Sequence, residues 1–270
     1  MIARANRQLR GFTVLELLVS MGIFMVICAA MFELLELSQK RYTSESQLSG
    51  AFQESRLAVD QIVRDFDVSG YPAKSMFSTL PSDSTKYAYS PVAWYPGNPT
   101  TTCLVGTAGS GTCTTPGDFD LILETDLGTG TGVNWIRYQL IGTTLFRSVV
   151  PKVGGNDQAA TVTSAAGVMV PFLTNVMNTA PNTHPELMSQ IKASYPSMFL
   201  GGNSQPIFQY TCDTPIGPAP CPTAGNSATP ANIRDVDINL IVMTPQRDMQ
   251  TQAIKLVQLT GRGQRVNPAN

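Results

Sequence analysis

The chain has 270 residues, 43% of them hydrophobic, only 14% charged, and a formal net charge of −1. Charged residues make up about a quarter of an average domain, so this surface is polar without being ionic, and the near-neutral balance excludes a nucleic-acid protein that works through a basic face. The single histidine, His184, excludes three-histidine and HExxH zinc chemistry. From Met1 to Gly11 the chain holds Arg4, Arg7 and Arg10 and no acid. From Phe12 to Phe32 it is apolar apart from Glu16, a run of membrane length. A basic flank ahead of an apolar run keeps the amino end cytoplasmic and carries the rest across. An ordinary secretory signal fits poorly, because its apolar region rarely tolerates a carboxylate and no A-x-A site follows. A lipoprotein signal fits no better, with Ile27 ahead of Cys28.

An acid inside a bilayer costs about 2.5–3.5 kcal/mol on insertion scales and calls for a partner. No lysine or arginine lies within the apolar run. Cleavage after Gly11 would create one cation there, an ammonium on Phe12, four residues before Glu16 and on the same helix face.

Arg10-Gly11-Phe12-Thr13-Val14-Leu15-Glu16-Leu17-Leu18-Val19 resembles the class III signal of type IV pilins and type II secretion pseudopilins. The resemblance implies that a prepilin peptidase cuts between Gly11 and Phe12 and methylates the Phe12 amine, and that Glu16 guides assembly. It further implies a single-pass inner-membrane precursor that later enters a filament. Its implied partners are the prepilin peptidase, other major and minor pilins or pseudopilins, the inner-membrane assembly platform and membrane lipid. No cofactor, metal or direct nucleic-acid binding is implied.

Past Phe32 the helical period continues. Leu48, Phe52, Val59, Ile62, Val63 and Phe66 recur at three- and four-residue steps, which predicts an amphipathic face turned to a core. Gly70 and Pro72 end the helix. The expected organisation is a leader over 1–11, a transmembrane half over 12–35, an amphipathic half over 36–68 and a β-rich exported domain over 69–270. From Phe12 to about Phe66 the rod spans roughly 80 Å at 1.5 Å per residue.

Strand patterns follow. Asp118–Asp126 contains the apolar run Leu121-Ile122-Leu123, and Trp135–Leu140 with Leu145–Val150 flank a hairpin turn at 141–144. Ile233–Met243 alternates, with Val236, Ile238, Leu240 and Val242 on one face, and Ala253–Leu259 predicts the last strand. The fold class is α+β, a long amino-terminal helix on an antiparallel sheet. Two long stretches, Pro72–Gly117 and Gly201–Asn232, the second with six prolines, read as loops. They carry Cys103 with Cys113 and Cys212 with Cys221. Four cysteines allow three connectivities, and closing each local loop is the simplest. Those staples are expected to lie outside the strands, in an exported compartment that permits disulfides. Cys28, inside the apolar run, packs as a small apolar residue.

Within the pilin superfamily, Glu54–Asp60, Arg64-Asp65, Ser69-Gly70-Tyr71, Trp135–Tyr138, Leu145–Ser148 and Arg234–Ile238 are similar to segments of PilW-like minor pilins. J-type pseudopilins of type II secretion share the same architecture. Candidate chemistry elsewhere is sparse. Asp118, Asp120, Glu124 and Asp126 share one strand face, which reads as a solvated edge before a calcium site. Gly106–Gly111 has phosphate-loop glycine spacing, but Thr112 stands where the lysine is required. The expected role is structural and non-enzymatic. An exported, signal-anchored binding protein or enzyme that never polymerises is the alternative from another class.

Overall fold

The computed structural model describes residues 13–93, 117–130, 132–153, 169–178, 185–199, 202–221 and 232–266. The first element, α1 (Val14–Asp67), runs 54 residues, about 81 Å. It ends at Val68, whose N–H donates to the Arg64 and Phe66 carbonyls, and Gly70 follows with φ +80°. Its buried positions, Ser44, Ala51, Ser55, Ala58, Val59, Ile62, Asp65 and Phe66, lie almost wholly in the second half, at three- and four-residue steps.

That buried stripe differs from the expected one in its upper turns. Phe52 is exposed and Leu48 only half-buried, while Ala51, Ser55 and Ala58 face inward. Small side chains there let the helix approach the sheet closely, which a phenylalanine would prevent.

Among the described residues eight strands follow: β1 (Asp120–Asp126), β2 (Val133–Ile141), β3 (Thr144–Pro151), β4 (Val170–Leu173), β5 (Phe208–Thr214), β6 (Gly217–Pro220), β7 (Ile233–Met243) and β8 (Leu256–Gln264). A second helix, α2 (Pro185–Ser194), lies between β4 and β5. The strands form two four-stranded antiparallel sheets, ordered β1-β2-β3-β4 and β6-β5-β7-β8, where one sheet was expected. The β2–β3 hairpin turns at Gly142-Thr143, as predicted. Two expectations change. The stretch Gly201–Asn232 is no loop throughout, because β5 and β6 lie inside it. The last strand starts at Leu256 and runs to Gln264, later than Ala253–Leu259.

The sheets share one core. Ala58, Val59, Ile62 and Phe66 of α1 pack against Leu121, Leu123, Ile136 and Leu145 of the first sheet. The same helix residues meet Val236, Ile238, Leu240 and Val242 of the second. Each such side chain contributes about 1.5–3 kcal/mol on full burial. Ile241 faces the other way and is buried beneath α2 with Met188, Ile191 and Phe199. Asn178 ties the layers together by donating to the Asn239 and Gln205 carbonyls and accepting from the Ile241 N–H. Outer strands β4 and β6 carry Pro171, Pro218 and Pro220, and prolines blunt a sheet edge by removing its donors.

Candidate functional site

The first half of α1 stands clear of the domain. Leu15, Leu18, Phe24, Val26, Met31 and Phe32 are each more than half exposed, and this stretch contains an 18-residue window of mean hydropathy 2.4 with none of it buried. So long an apolar surface is stable only against lipid or other helices. Gly22 has open space around it, so packing within this chain does not require it; it leaves room for close approach by another helix.

The acid at the start of this arm is held by its own chain. Thr13 takes an extended backbone and caps α1: its Oγ1 accepts the Glu16 N–H at 3.2 Å. In return Glu16 Oε2 accepts the Thr13 N–H and the Thr13 hydroxyl, both at 3.0 Å. This reciprocal arrangement is a capping box, and it sets the carboxylate against the positive end of the helix. Glu16 therefore has a partner before any new amine exists, one the search for a cation in the apolar run overlooked. The Thr-x-x-Glu spacing was the signal that could have found Thr13.

The carboxylates of β1 each have their own partners. Glu124, fully buried, accepts from Lys152 Nζ at 3.0 Å, Trp135 Nε1 at 3.0 Å and the Tyr89 N–H at 2.7 Å. Asp120 is bound by Arg137 through Nε at 2.8 Å and Nη2 at 2.5 Å. Asp126 accepts the Gly128 N–H, and burial pushes the Asp118 carboxyl up. No group of three or more metal-type ligands forms among the described residues. Glu124, in the middle of the strand, is therefore buried and paired where a solvated acidic edge was expected.

A clasp between helix and sheet joins α1 to β2 and β3. Asp65 of α1 accepts the Tyr138 hydroxyl at 2.5 Å, Arg147 Nη2 at 2.8 Å and Gln61 Nε2 at 2.8 Å. Burial, and next the Asp65 charge, push the Tyr138 phenol well above its ordinary value of 10.0. No local pattern joins Asp65 to Tyr138 and Arg147, which lie 73 and 82 residues further along the chain.

Cys212 and Cys221 are bonded, with Cα atoms 4.8 Å apart. Cys212 lies in β5 and Cys221 directly follows β6, so this staple locks a hairpin inside the second sheet, not a loop outside it as expected. Gly11, Phe12, Cys103, Cys113, His184 and the 106–111 glycine stretch lie outside the described residues.

Residues 6–32 match the prokaryotic N-terminal methylation motif. The amino terminus is a type IV pilin-like prepilin signal. The motif indicates a type IV pilin-like or pseudopilin precursor processed by prepilin peptidase, and the helix that carries it is long and apolar enough to cross a membrane. No curated protein and no solved structure matches the chain.

Proposed function

We propose that this chain is a minor pilin of a type IV pilus. Prepilin peptidase cuts it between Gly11 and Phe12 and methylates the Phe12 amine, and the apolar arm then packs among neighbouring pilin helices. The observation that carries this reading is the unpartnered arm of α1, which opens on a capped acid, its threonine cap one residue and its carboxylate four residues after the amine that cleavage would free. Before the cut, Glu16 rests on Thr13 in an inner-membrane anchor whose amino end is cytoplasmic. Afterwards a neighbour's ammonium supplies a full countercharge, so lateral packing becomes favourable only in the mature chain. Its role is structural and non-enzymatic, at the filament tip or initiation complex. The likeness of its segments to PilW-like minor pilins favours that reading over a J-type pseudopilin, which shares the architecture.

Intact-mass analysis of protein extracted from a host with the peptidase tests the first step. Removal of residues 1–11 from the 270-residue chain leaves 259, plus one methyl group. The second step is read by quantifying the mature chain in sheared pili against its membrane level. An uncut chain defeats the pilin reading. A cut chain absent from pili but required for protein secretion moves the assignment to the type II pseudopilus. A cut chain in no filament supports an anchored protein that does not polymerise.

A further inference from the structure

Between the arm and the packed half of α1 the sequence reads Thr43-Ser44-Glu45-Ser46-Gln47-Leu48-Ser49-Gly50. Threonine, serine and glycine are weak helix formers, and serine and threonine side chains compete for backbone bonds. Thr43 Oγ1 already donates to the Gln39 carbonyl at 3.0 Å. A Cβ built on Gly50 would meet nothing within 4 Å, so packing does not demand glycine there. Eight consecutive residues of this composition would be the first part of a free helix to open.

A turn from the domain reaches back to hold them. Residues 244–255 join β7 to β8, and Asp248 within them accepts the Ser44 hydroxyl at 2.7 Å and Lys255 Nζ at 2.7 Å. Lys255 Nζ also donates to Ser44 Oγ at 2.7 Å, closing a three-membered latch. One turn along α1, Gln47 Nε2 donates to Gln246 Oε1 at 3.0 Å. The acid is itself oriented by the Gln250 and Thr251 N–H groups at 2.8 and 2.9 Å. Ser44 is the first buried residue of α1, and the next is Ala51. The latch, with the Gln47–Gln246 bond beside it, therefore holds the weak stretch ahead of the continuous core contact.

We propose that residues 43–50 are a hinge in α1, held helical by the Ser44–Asp248–Lys255 latch, whose release lets the domain swing on its arm. With the latch open, the last firm hold on the helix moves from Ser44 to Ala51, about 10 Å along the axis at 1.5 Å per residue. The domain then reorients without disturbing the core at Ala58, Ile62 and Phe66. This device rests on the geometry of α1 and the β7–β8 turn, and it holds whichever filament, if any, the chain enters.

Amide hydrogen exchange on the full chain in detergent, resolved by peptide, tests it. Asp248→Ala is expected to speed exchange over 43–50 by about tenfold, the loss of a hydrogen bond to a charged group. Protection over 58–66 and in β7 is expected to stay at its wild-type level. Adding Gly50→Ala to Asp248→Ala is expected to slow the 43–50 amides again by about fivefold, the helix-propensity difference between the two residues. Wild-type exchange over 43–50 in Asp248→Ala overturns the proposal. So does a loss of protection that spreads through 58–66 and β7, or a double variant no slower than Asp248→Ala.

Discussion

Strand β8 meets α1 through two glycines, and replacing one of them measures how closely the helix is seated. A Cβ on Gly261 would overlap Val59 Cγ1, well inside van der Waals contact distance, and lie 3.4 Å from Val63 Cγ2. Gly261 pairs with Ile238 midway along the β7–β8 ladder, so β8, although an outer strand, has little freedom to retreat. Val59 is buried in the shared core, so its side chain has nowhere to turn. Gly261→Ala should therefore cost about 1–3 kcal/mol, the usual range for overpacking a core. Val59→Ala alone removes two methyl groups at about 0.8 kcal/mol each. Together the changes are complementary, since the alanine methyl on β8 occupies space that the valine vacated. The double variant should lose at least about 1 kcal/mol less than the sum of the singles, well beyond the additivity expected of independent sites. Guanidinium unfolding of the full chain in mild detergent, followed by the fluorescence of buried Trp135, gives the three free energies. Additive losses would show that α1 does not press on Gly261, and the close seating would have to be abandoned.

Other consequences follow from the clasp, the staple and the cap. Tyr138→Phe should cost about 1 kcal/mol at neutral pH for the lost hydrogen bond to Asp65. Because the folded-state phenol titrates above its ordinary value of 10.0, its contribution is complete below pH 10 and lost as pH rises beyond it. The gap between wild type and Tyr138→Phe should thus narrow in alkali, and a gap constant from pH 7 to 11 in chemical unfolding would count against the assignment. Replacing Cys212 and Cys221 together by serine opens a link of sequence separation 9 and should cost about 2.5–3 kcal/mol. An unchanged melting temperature in the oxidised protein would show that β5 and β6 need no staple. Glu16→Gln should remain inserted and cleaved yet enter filaments poorly, and equal incorporation would defeat the charge-pair mechanism. Thr13→Val should lower incorporation as well, with Thr13→Ser retaining it, because valine keeps the backbone N–H bond to Glu16 but loses both bonds made by the hydroxyl; identical filament fractions for valine and serine would sink that role.

Local chemistry made much of this protein legible before any fold was known. The apolar run, its acid and the preceding arginines are neighbours in sequence, so the arm of α1 and its signal could be read directly from Met1 to Phe32. The β2–β3 hairpin and the alternation of β7 were legible for the same reason, since a two-residue turn and a period of two are properties of a few adjacent residues. Strand β5 also alternates, with Phe208, Tyr210 and Cys212 on one face, but the prolines around it masked the pattern. Only pairing with β7 shows that Pro218 and Pro220 occupy an outer strand where their missing donors are harmless. The division into two sheets, the clasp of Asp65 with Tyr138 and Arg147, and the glycine seat of β8 under Val59 arose from the tertiary structure alone. Each joins groups dozens to hundreds of residues apart, and their meeting depends on how the sheets close around α1, which no local period encodes. The same holds for Ser44: in the sequence it is one weak residue in a helix, and only the turn carrying Asp248 and Lys255 makes it a point of attachment.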